Sequence, residues 1–311
     1  MEMTIPAHNS STMRPYVATI GFFDGVHLGH RYLIDRLKVR AAQIGAASMV
    51  ITFAHHPQQV VRKDFVPQLL LSPQEKLERL EETGIDRCVV LNFDAQMAAL
   101  SAREFMQTIL KEQLNVVELV IGHDNKFGHD RQEGIDDYRR YGKELGIDVI
   151  EEHPFEMDGL TISSSLIRRL LTTGDISTAN RCLGYAYTLS GKVIQGFQEG
   201  RKMGFPTANL MPEEAFVLLP GKGVYATRVR VAGFKETFGG MTNIGNRPTF
   251  GGKTTTIETH ILDFKHDIYD GNICVSFIER IRNEERFDSI EALRQEMMND
   301  EKKTRNILKQ P

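Results

Sequence analysis

His27 and His30 frame Gly29 near the start of the chain. They follow the apolar segment Tyr16–Ile20, which predicts a strand, and they open a segment whose apolar residues recur at helical spacing. A glycine-rich turn between a strand and a helix points backbone N–H groups and the positive helix end at one place, where an anion can bind. Gly25 and Gly29 leave room for a polyphosphate to approach the backbone, and both imidazoles can donate hydrogen bonds to its oxygens. The pattern predicts a nucleotide phosphate site.

A run of serines predicts a second group that contacts phosphate. Ser163 and Ser164 begin a helix in which Arg168 lies one turn further on. The hydroxyls can cap the helix or bind phosphate oxygens, and the guanidinium adds positive charge. An ordinary serine cap followed by a solvated arginine is the alternative interpretation.

In the first half of the chain, predicted strands alternate with predicted helices. Ser72 and Ser101 each begin a helix with a glutamate three residues later, which is the capping-box pattern. This alternation indicates a parallel sheet with helices on its faces, and ligands bind at the carboxyl ends of such strands. The predicted strands are Tyr16–Ile20, Ala47–Phe53, Arg87–Leu91, Val116–Ile121 and Asp148–Glu151, and a helix is predicted over Ile135–Leu145.

After Tyr185 the pattern changes to short alternating runs between Gly, Pro and Asn turns, which is typical of an antiparallel barrel or sandwich. A helix over Ser289–Met298 closes this half. Thr207 and Asn209 follow Pro206 in an extended segment, so both present neutral oxygens to one point, as Mg²⁺ ligands do. The preceding glycine-rich segment could wrap a triphosphate through Gly196, Gly200 and Lys202.

Composition limits the class of protein. The chain has 311 residues, 41% hydrophobic and 25% charged, which is enough for two globular domains. With 41 acidic and 38 basic residues it lacks the basic excess of a nucleic-acid binder. It contains no apolar run long enough to cross a membrane, and residues 1–13 are expected to be a loose polar tail. Three scattered cysteines favour reduced thiols and a cytoplasmic location.

The first motif resembles the His-x-Gly-His signature of adenylyl-transferring α/β nucleotidyltransferases, and its neighbours resemble the bacterial FAD synthetase module. Gly204-Phe205-Pro206-Thr207-Ala208-Asn209 is similar to the riboflavin kinase motif. From about Arg14 to Arg305 the chain resembles the bifunctional bacterial riboflavin kinase/FAD synthetases. The resemblance implies a Rossmann-like nucleotidyltransferase domain over 14–175, a linker over 176–185, and an all-β antiparallel barrel with a C-terminal helix, the riboflavin kinase domain, over 186–311.

The resemblance also implies two reactions that use ATP and Mg²⁺. Riboflavin would become FMN with Glu258 as general base, and FMN would become FAD with His27 and His30 at the reacting phosphates. Asp124 and Arg282 are implied to bind the flavin. Small molecules, rather than nucleic acid or membrane, are the expected partners; flavoenzymes are the expected recipients of the product, and an oligomer is allowed.

One loop departs from the family pattern. The family sequence is Gly-x-Asp/Asn-Phe-Arg-Phe-Gly. This chain has Asn125 in place of the first Phe and Lys126 in place of the Arg. The departure concerns flavin stacking or the shape of the loop, and not the adenylyl chemistry.

Two alternative functions stay open. One is a single-activity adenylyltransferase with a degenerate kinase barrel, and the other is a flavin-binding regulatory protein. The presence of His27, Asn209 and Glu258 argues against both.

Overall fold

The computed structural model describes residues 2–4, 14–62, 64–123, 125–129, 132–196, 199–249 and 252–309. Its contacts divide it into two compact units, 1–164 and 165–311. The domain limits expected from the sequence, 14–175 and 186–311, stay a prediction. Among the described residues, no helix is both long and apolar enough to cross a bilayer.

In the described part of the first unit, six parallel strands form one sheet in the order β1-β4-β3-β2-β5-β6. The strands are β1 (Glu2–Thr4), β2 (Tyr16–Ile20), β3 (Ala47–Phe53), β4 (Arg87–Leu91), β5 (Val116–Gly122) and β6 (Asp148–Glu152). A hairpin of β7 (Glu156–Met157) and β8 (Leu160–Thr161) follows. The expected parallel sheet is confirmed.

The helical segments of this unit are α1 (Leu28–Ile44), α2 (Gln58–Val61), α3 (Pro73–Glu81), α4 (Ala95–Ala98), α5 (Ala102–Phe105), a π-helical continuation (Met106–Gln113) and α6 (Ile135–Leu145). Both predicted capping boxes are present: Ser72 and Glu75 bond reciprocally at the start of α3, as do Ser101 and Glu104 at the start of α5. Each box satisfies backbone N–H groups that have no partner within the helix.

Alternating residues of the central strands pack on opposite faces of the sheet. Val17 packs with Leu37 and Ala41 of α1, whereas Ala18 belongs to the cluster that contains Phe105 and the π-helical segment. Both faces are therefore covered, and the loops at the carboxyl ends of β2, β3 and β5 converge on one edge.

Glu2–Thr4, within the expected loose tail 1–13, form β1 at the sheet edge, and the rest of 1–13 lies outside the described residues. The strand β1 pairs in parallel with Arg87–Val89 of β4. Backbone pairing does not depend on apolar side chains, so the polar sequence of this segment gave no signal for it.

In the second unit, six antiparallel strands close a barrel in the order β10-β13-β12-β11-β14-β9. They are β9 (Thr188–Ile194), β10 (Ala208–Pro212), β11 (Gly223–Val231), β12 (Thr237–Thr249), β13 (Gly252–Ile261) and β14 (Asn272–Arg282). The helices are α7 (Ser164–Thr173), α8 (Ile176–Leu183), α9 (Glu199–Lys202) and α10 (Ile290–Lys309). Of the two expected architectures, the barrel is confirmed.

Inside the barrel, the hydroxyls of Thr227, Thr242 and Thr259 form a buried chain with successive Oγ1–Oγ1 distances of 3.0 Å. These hydroxyls satisfy one another, so the polar groups can lie in the core. The flanking residues of each strand consequently point outward, toward α10. That helix is longer than the predicted Ser289–Met298 and ends at Lys309.

Candidate active sites

The turn after β2 has an unusual backbone. Phe23, Gly25 and Val26 have φ angles of 56°, 84° and 36°. Positive φ is costly for a large or β-branched residue, so the surrounding contacts must hold this conformation. The turn ends at the start of α1, a helix of 17 residues whose first N–H groups face the turn.

His27 is the N-cap of α1 and only 3% of it is exposed. Its Nδ1 accepts a hydrogen bond from the His30 backbone N–H at 3.3 Å. The proton of the neutral imidazole therefore lies on Nε2, which is a donor. The sequence prediction gave His27 a phosphate contact but missed this capping role.

The rings of His27 and His30 stack with their centroids 3.6 Å apart and an angle of 18° between planes. Phe23 meets the His30 ring edge-on at a centroid distance of 5.0 Å. The structure thus brings the two predicted imidazoles together at the start of α1, where the helix dipole favours an anion.

Gly29 serves packing as well as ligand approach. A Cβ at this position would lie 2.9 Å from the Ile162 carbonyl oxygen and 3.2 Å from the His27 ring. The close approach of a polyphosphate to Gly29 stays a prediction, and the structure shows that protein atoms also lie against this glycine. A side chain here would push the His27 imidazole out of place.

The predicted serine contact is used within the protein. Ser164 Oγ donates to the Asp24 carbonyl oxygen at 2.9 Å and so fastens the segment before α7 to the turn. Ser163 is half-buried beside it. Arg168 lies in the second compact unit, and its role stays a prediction.

The loop after β5 carries the predicted flavin contact Asp124, which lies outside the described residues. The side-chain amide of its neighbour Asn125 donates to the Ile20 carbonyl oxygen at the end of β2. Asn125, one of the two residues that depart from the family pattern, therefore ties this loop to the end of β2.

A second site lies in the barrel unit. A cavity of about 620 Å³ opens between the outer face of the barrel and the start of α10. A small-molecule site of this size fits a drug-sized ligand. Four of the predicted site residues line this cavity: Gly200, Thr207, Glu258 and Arg282. Other polar residues that line it are Asn243, His260, Glu284 and Asp300.

Glu258 lies in a row of polar residues that crosses three strands. It pairs directly with Asn209 of β10 on one side and with Asn243 of β12 on the other. Thr256 donates its hydroxyl to Glu258 Oε1 at 3.3 Å. The predicted base and the predicted metal ligand Asn209 are thus neighbours on the outer face of the barrel.

The glycines before Thr207 fit against specific groups. A Cβ on Gly196 would lie 2.2 Å from Asn209 Nδ2, and a Cβ on Gly200 would lie 2.3 Å from the Phe205 carbonyl oxygen. Gly196 therefore allows the backbone to lie against Asn209, and Gly200 allows it to lie against Phe205. Lys202 ends the short helix α9, and its side chain lies outside the described residues.

Arg282 is held at the cavity by an ion pair. Its Nε donates to Asp300 Oδ2 at 2.9 Å, and its guanidinium lies 5.5 Å from the Phe287 ring centroid. Burial raises the pKa of Asp300, against the opposing effect of Arg282. The sequence analysis assigned Arg282 to the flavin, and the structure places it on the cavity wall.

Hard oxygen donors for Mg²⁺ lie at and beside this cavity: Thr207 lines it, and Asn209 pairs with Glu258, which lines it. The Thr207 hydroxyl and the Asn209 amide oxygen are the donor types that this ion prefers, with phosphates completing its shell. Among the described residues, no cluster of three or more His, Cys, Asp or Glu is arranged to hold a metal.

Two buried charged residues near the first site were missed by the sequence analysis. The Asp24 carboxylate accepts the backbone N–H groups of Leu70 and Leu71 at 2.9–3.3 Å. Lys76 is buried with Leu80 on the inner face of α3. A lysine four residues before a core leucine was the available signal, because this spacing puts both on one helix face.

A parallel α/β sheet with an anion-binding helix start, followed by a barrel with a carboxylate-lined cavity, defines a two-domain transferase that acts on nucleotides. Family models for FAD synthetase and riboflavin kinase match residues 9–166 and 183–308. The chain belongs to the bifunctional riboflavin kinase/FMN adenylyltransferase family.

Individual relatives agree with that placement. The bifunctional riboflavin kinase/FMN adenylyltransferase of Escherichia coli K12 is 37% identical over 285 residues, which cover 92% of this chain and 90% of the relative. The Haemophilus influenzae protein of the same name is 35% identical over 301 residues, covering 96% and 97%. A solved Streptococcus pneumoniae structure, described as a macrolide-efflux protein, aligns with TM-score 0.85 and 31% identity over 95% of both chains.

Proposed function

We infer that this chain carries out both reactions of its family, and we propose which residues perform each one. Riboflavin and ATP would give FMN and ADP in the barrel unit. FMN and a second ATP would give FAD and pyrophosphate in the α/β unit. The observation that supports the proposal is that each compact unit holds its own group of polar side chains: the stacked imidazoles in one, and the Asn209–Glu258 row in the other.

The kinase step needs a base because the riboflavin 5′-hydroxyl is a weak nucleophile. Glu258 lies on the cavity wall, where its carboxylate can accept the hydroxyl proton as the oxygen attacks the γ-phosphorus of ATP. Thr207 and Asn209 would hold Mg²⁺, which neutralises charge on the transferring phosphoryl group. Gly196, Gly200 and Lys202 would shape the triphosphate loop, and Arg282 would contact the flavin.

The adenylyl step needs no protein base, since the FMN phosphate is already anionic at neutral pH. Its oxygen attacks the α-phosphorus of ATP, and pyrophosphate leaves. His27 and His30 would donate hydrogen bonds to the phosphates at the start of α1, with Gly25 and Gly29 allowing close approach. Ser163 and Ser164 would add to the phosphate site, and Asp124 to the flavin site. The phosphate contact of Arg168 stays a prediction from the sequence.

The purified protein tests the proposal directly. It is incubated with riboflavin, ATP and Mg²⁺, and then separately with FMN, ATP and Mg²⁺, and the flavins are resolved by chromatography. FMN and FAD from the first mixture and FAD from the second are expected. If FAD forms in the FMN mixture but the riboflavin mixture gives no product, the protein is an adenylyltransferase with an inactive barrel. If neither mixture gives a product, the flavin-binding alternative is favoured.

The two proposed reactions also indicate which partners the protein has. The substrates are small molecules, and flavoenzymes would receive the FAD. The scattered thiols support a cytoplasmic location, where ATP and flavins are available.

A further inference from the structure

Lys76 is a buried ammonium in the first unit. The residue is 4% exposed and lies on α3 between the turn after β2 and the end of β3. Its Nζ donates to the Phe53 carbonyl oxygen at 2.9 Å and to Thr52 Oγ1 at 3.3 Å. Lysine is almost never fully buried without compensating contacts, so its place here calls for a reason.

Lys76 contacts Phe22, in the turn that follows β2, both directly and through Thr52. Its Nζ lies 4.1 Å from the centroid of the Phe22 ring, within the range of a cation–π interaction. Thr52 Oγ1, which accepts from Lys76, donates to the Phe22 carbonyl oxygen at 3.1 Å. The ammonium therefore holds Phe22 twice, through its ring and through Thr52.

Phe22 directly precedes the strained part of the turn, with Phe23 and Val26 at positive φ. Such a conformation persists only when its surroundings fix it. The Asp24 carboxylate fixes the middle of the turn from Leu70 and Leu71. Lys76 fixes Phe22, at the start of the turn that follows β2.

We propose that Lys76 is a positioning residue for adenylyl transfer, whose charge holds the turn that places His27 and His30 at the nucleotide phosphates. The inference rests on the adenylyl reaction proposed above. Lys76 itself touches no reacting atom. It acts through Phe22 and Thr52 on the geometry of the turn.

The protonation state of Lys76 gives this role a pH dependence. Burial lowers the pKa of Lys76 to about 8, while the nearby Asp24 carboxylate opposes the shift; Cys88 on β4 is the other titratable group near it. Burial also raises the pKa of the Cys88 thiol to about 11, so that thiol keeps its proton while Lys76 titrates. Loss of the proton removes the charge over the Phe22 ring, and adenylyl transfer should weaken.

Lys76→Met tests the charge while filling the same volume. Replacing a buried charge by an apolar residue is often neutral or stabilising, so the variant should fold. We expect FAD formation from FMN to fall by about 10- to 100-fold, the range that a small misplacement of reacting groups produces. FMN formation from riboflavin, measured in the same sample, should be unchanged. Arg79→Met removes a half-exposed charge from the same helix and should leave both rates intact.

A second pair of variants tests the path through Thr52. Thr52→Val removes the hydroxyl that links Lys76 to Phe22, whereas Thr52→Ser keeps it. The valine variant should lose FAD formation and the serine variant should retain most of it.

The pH profile separates positioning from a structural role. At saturating Mg²⁺ and ATP, FAD formation by the unmodified protein should decline through one ionisation near pH 8. Lys76→Met should be slow and without that ionisation. If the unmodified protein makes no FAD, the proposed function fails. If it makes FAD and Lys76→Met makes it equally fast with the same pH profile, the positioning role is wrong.

Discussion

The imidazole of His27 stacks on that of His30 at 3.6 Å while its Nδ1 caps the helix on which His30 lies. One side chain thus orients the other and at the same time satisfies the start of α1. Because Nδ1 accepts a backbone N–H, the proton of His27 is fixed on Nε2. Capping and the proposed phosphate contact would therefore be combined in one residue, and substitution can separate them.

His27→Ala should lose both roles, and His27→Ser should lose only one. Serine is a good N-cap, so the serine variant should recover the cap energy of about 1 kcal/mol that alanine loses. Neither side chain can replace the Nε2 donor, so both should form FAD about 10²–10³ times more slowly. Urea unfolding and an FMN-to-FAD assay measure the two effects. Full FAD formation by His27→Ser would reduce His27 to a helix cap.

His30→Ala removes the other imidazole and leaves the His27 cap in place, because the cap bonds to the His30 backbone. We expect loss of FAD formation with little change in FMN formation, since the kinase residues lie in the other unit. Both products are measured in one sample by chromatography. An equal loss of both, in a folded protein, would contradict the assignment of two separate sites.

Glu258→Gln keeps the size of the side chain and removes the base. Riboflavin phosphorylation should fall by roughly 10²–10⁴, and FAD formation from supplied FMN should survive. Stability should change little, because the strand pairing of Glu258 uses its backbone and the Thr256 hydroxyl can donate to an amide oxygen as well as to a carboxylate. Near-normal FMN formation would point instead to His260. The Nδ1–H of that residue donates to the Pro206 carbonyl oxygen at 2.8 Å, which leaves Nε2 as a base.

The sequence predicted the regular elements well where side-chain periodicity follows burial. The bounds of β2, β3, β4 and α6 agree with the structure to the residue. It predicted α10 only to Met298, because the inward positions Asp300 and Thr304 are polar and hide the helical period. Tertiary contacts, such as the Arg305 pair with Asp263 at 2.8 Å, stabilise that last part of the helix.

The motifs predicted candidate site residues, but the partners of those residues depend on the fold. Nothing in the sequence around Gly29 indicates that the Ile162 carbonyl lies against it, because 133 positions separate the two. The same holds for Lys76 and Phe22, which come from different elements. Long-range packing decides whether a glycine leaves space for a ligand or for the protein.

Gly196→Ala tests the loop that closes on Asn209. The added Cβ would lie 2.2 Å from Asn209 Nδ2, so the amide must move. We expect slower FMN formation and a higher requirement for Mg²⁺, measured as the rate against Mg²⁺ concentration. Gly134→Ala, where a Cβ meets open space, is the matched control. An unchanged Mg²⁺ dependence in Gly196→Ala would remove Asn209 from the proposed ligand set.

The limits of the kinase domain can be tested with two fragments. Helices α7 and α8 contact the barrel: the Gly221 N–H donates to the Leu171 carbonyl oxygen at 2.8 Å, and Asn180 Nδ2 donates to that of Phe277 at 2.8 Å. The fragment 165–311 should therefore unfold at higher urea than 186–311, which lacks both helices. Both are assayed for conversion of riboflavin to FMN. Equal midpoints would show that α7 and α8 add nothing to the barrel.

The titration of Lys76 should affect stability and activity in opposite directions as the pH rises. Its pKa of about 8 in the folded protein lies below the ordinary value of 10.5, because burial disfavours the charge. Between these values the unfolded chain binds the proton more tightly, so this residue's contribution to stability rises with pH. The full shift corresponds to about 3 kcal/mol. Urea unfolding of the unmodified protein and of Lys76→Met at pH 7.5 and 9.5 should show the difference between the two shrinking at the higher pH. FAD formation by the unmodified protein should fall over the same interval. A parallel fall in stability and activity would mean that the turn is lost by unfolding, and the charge of Lys76 would then have no positioning role.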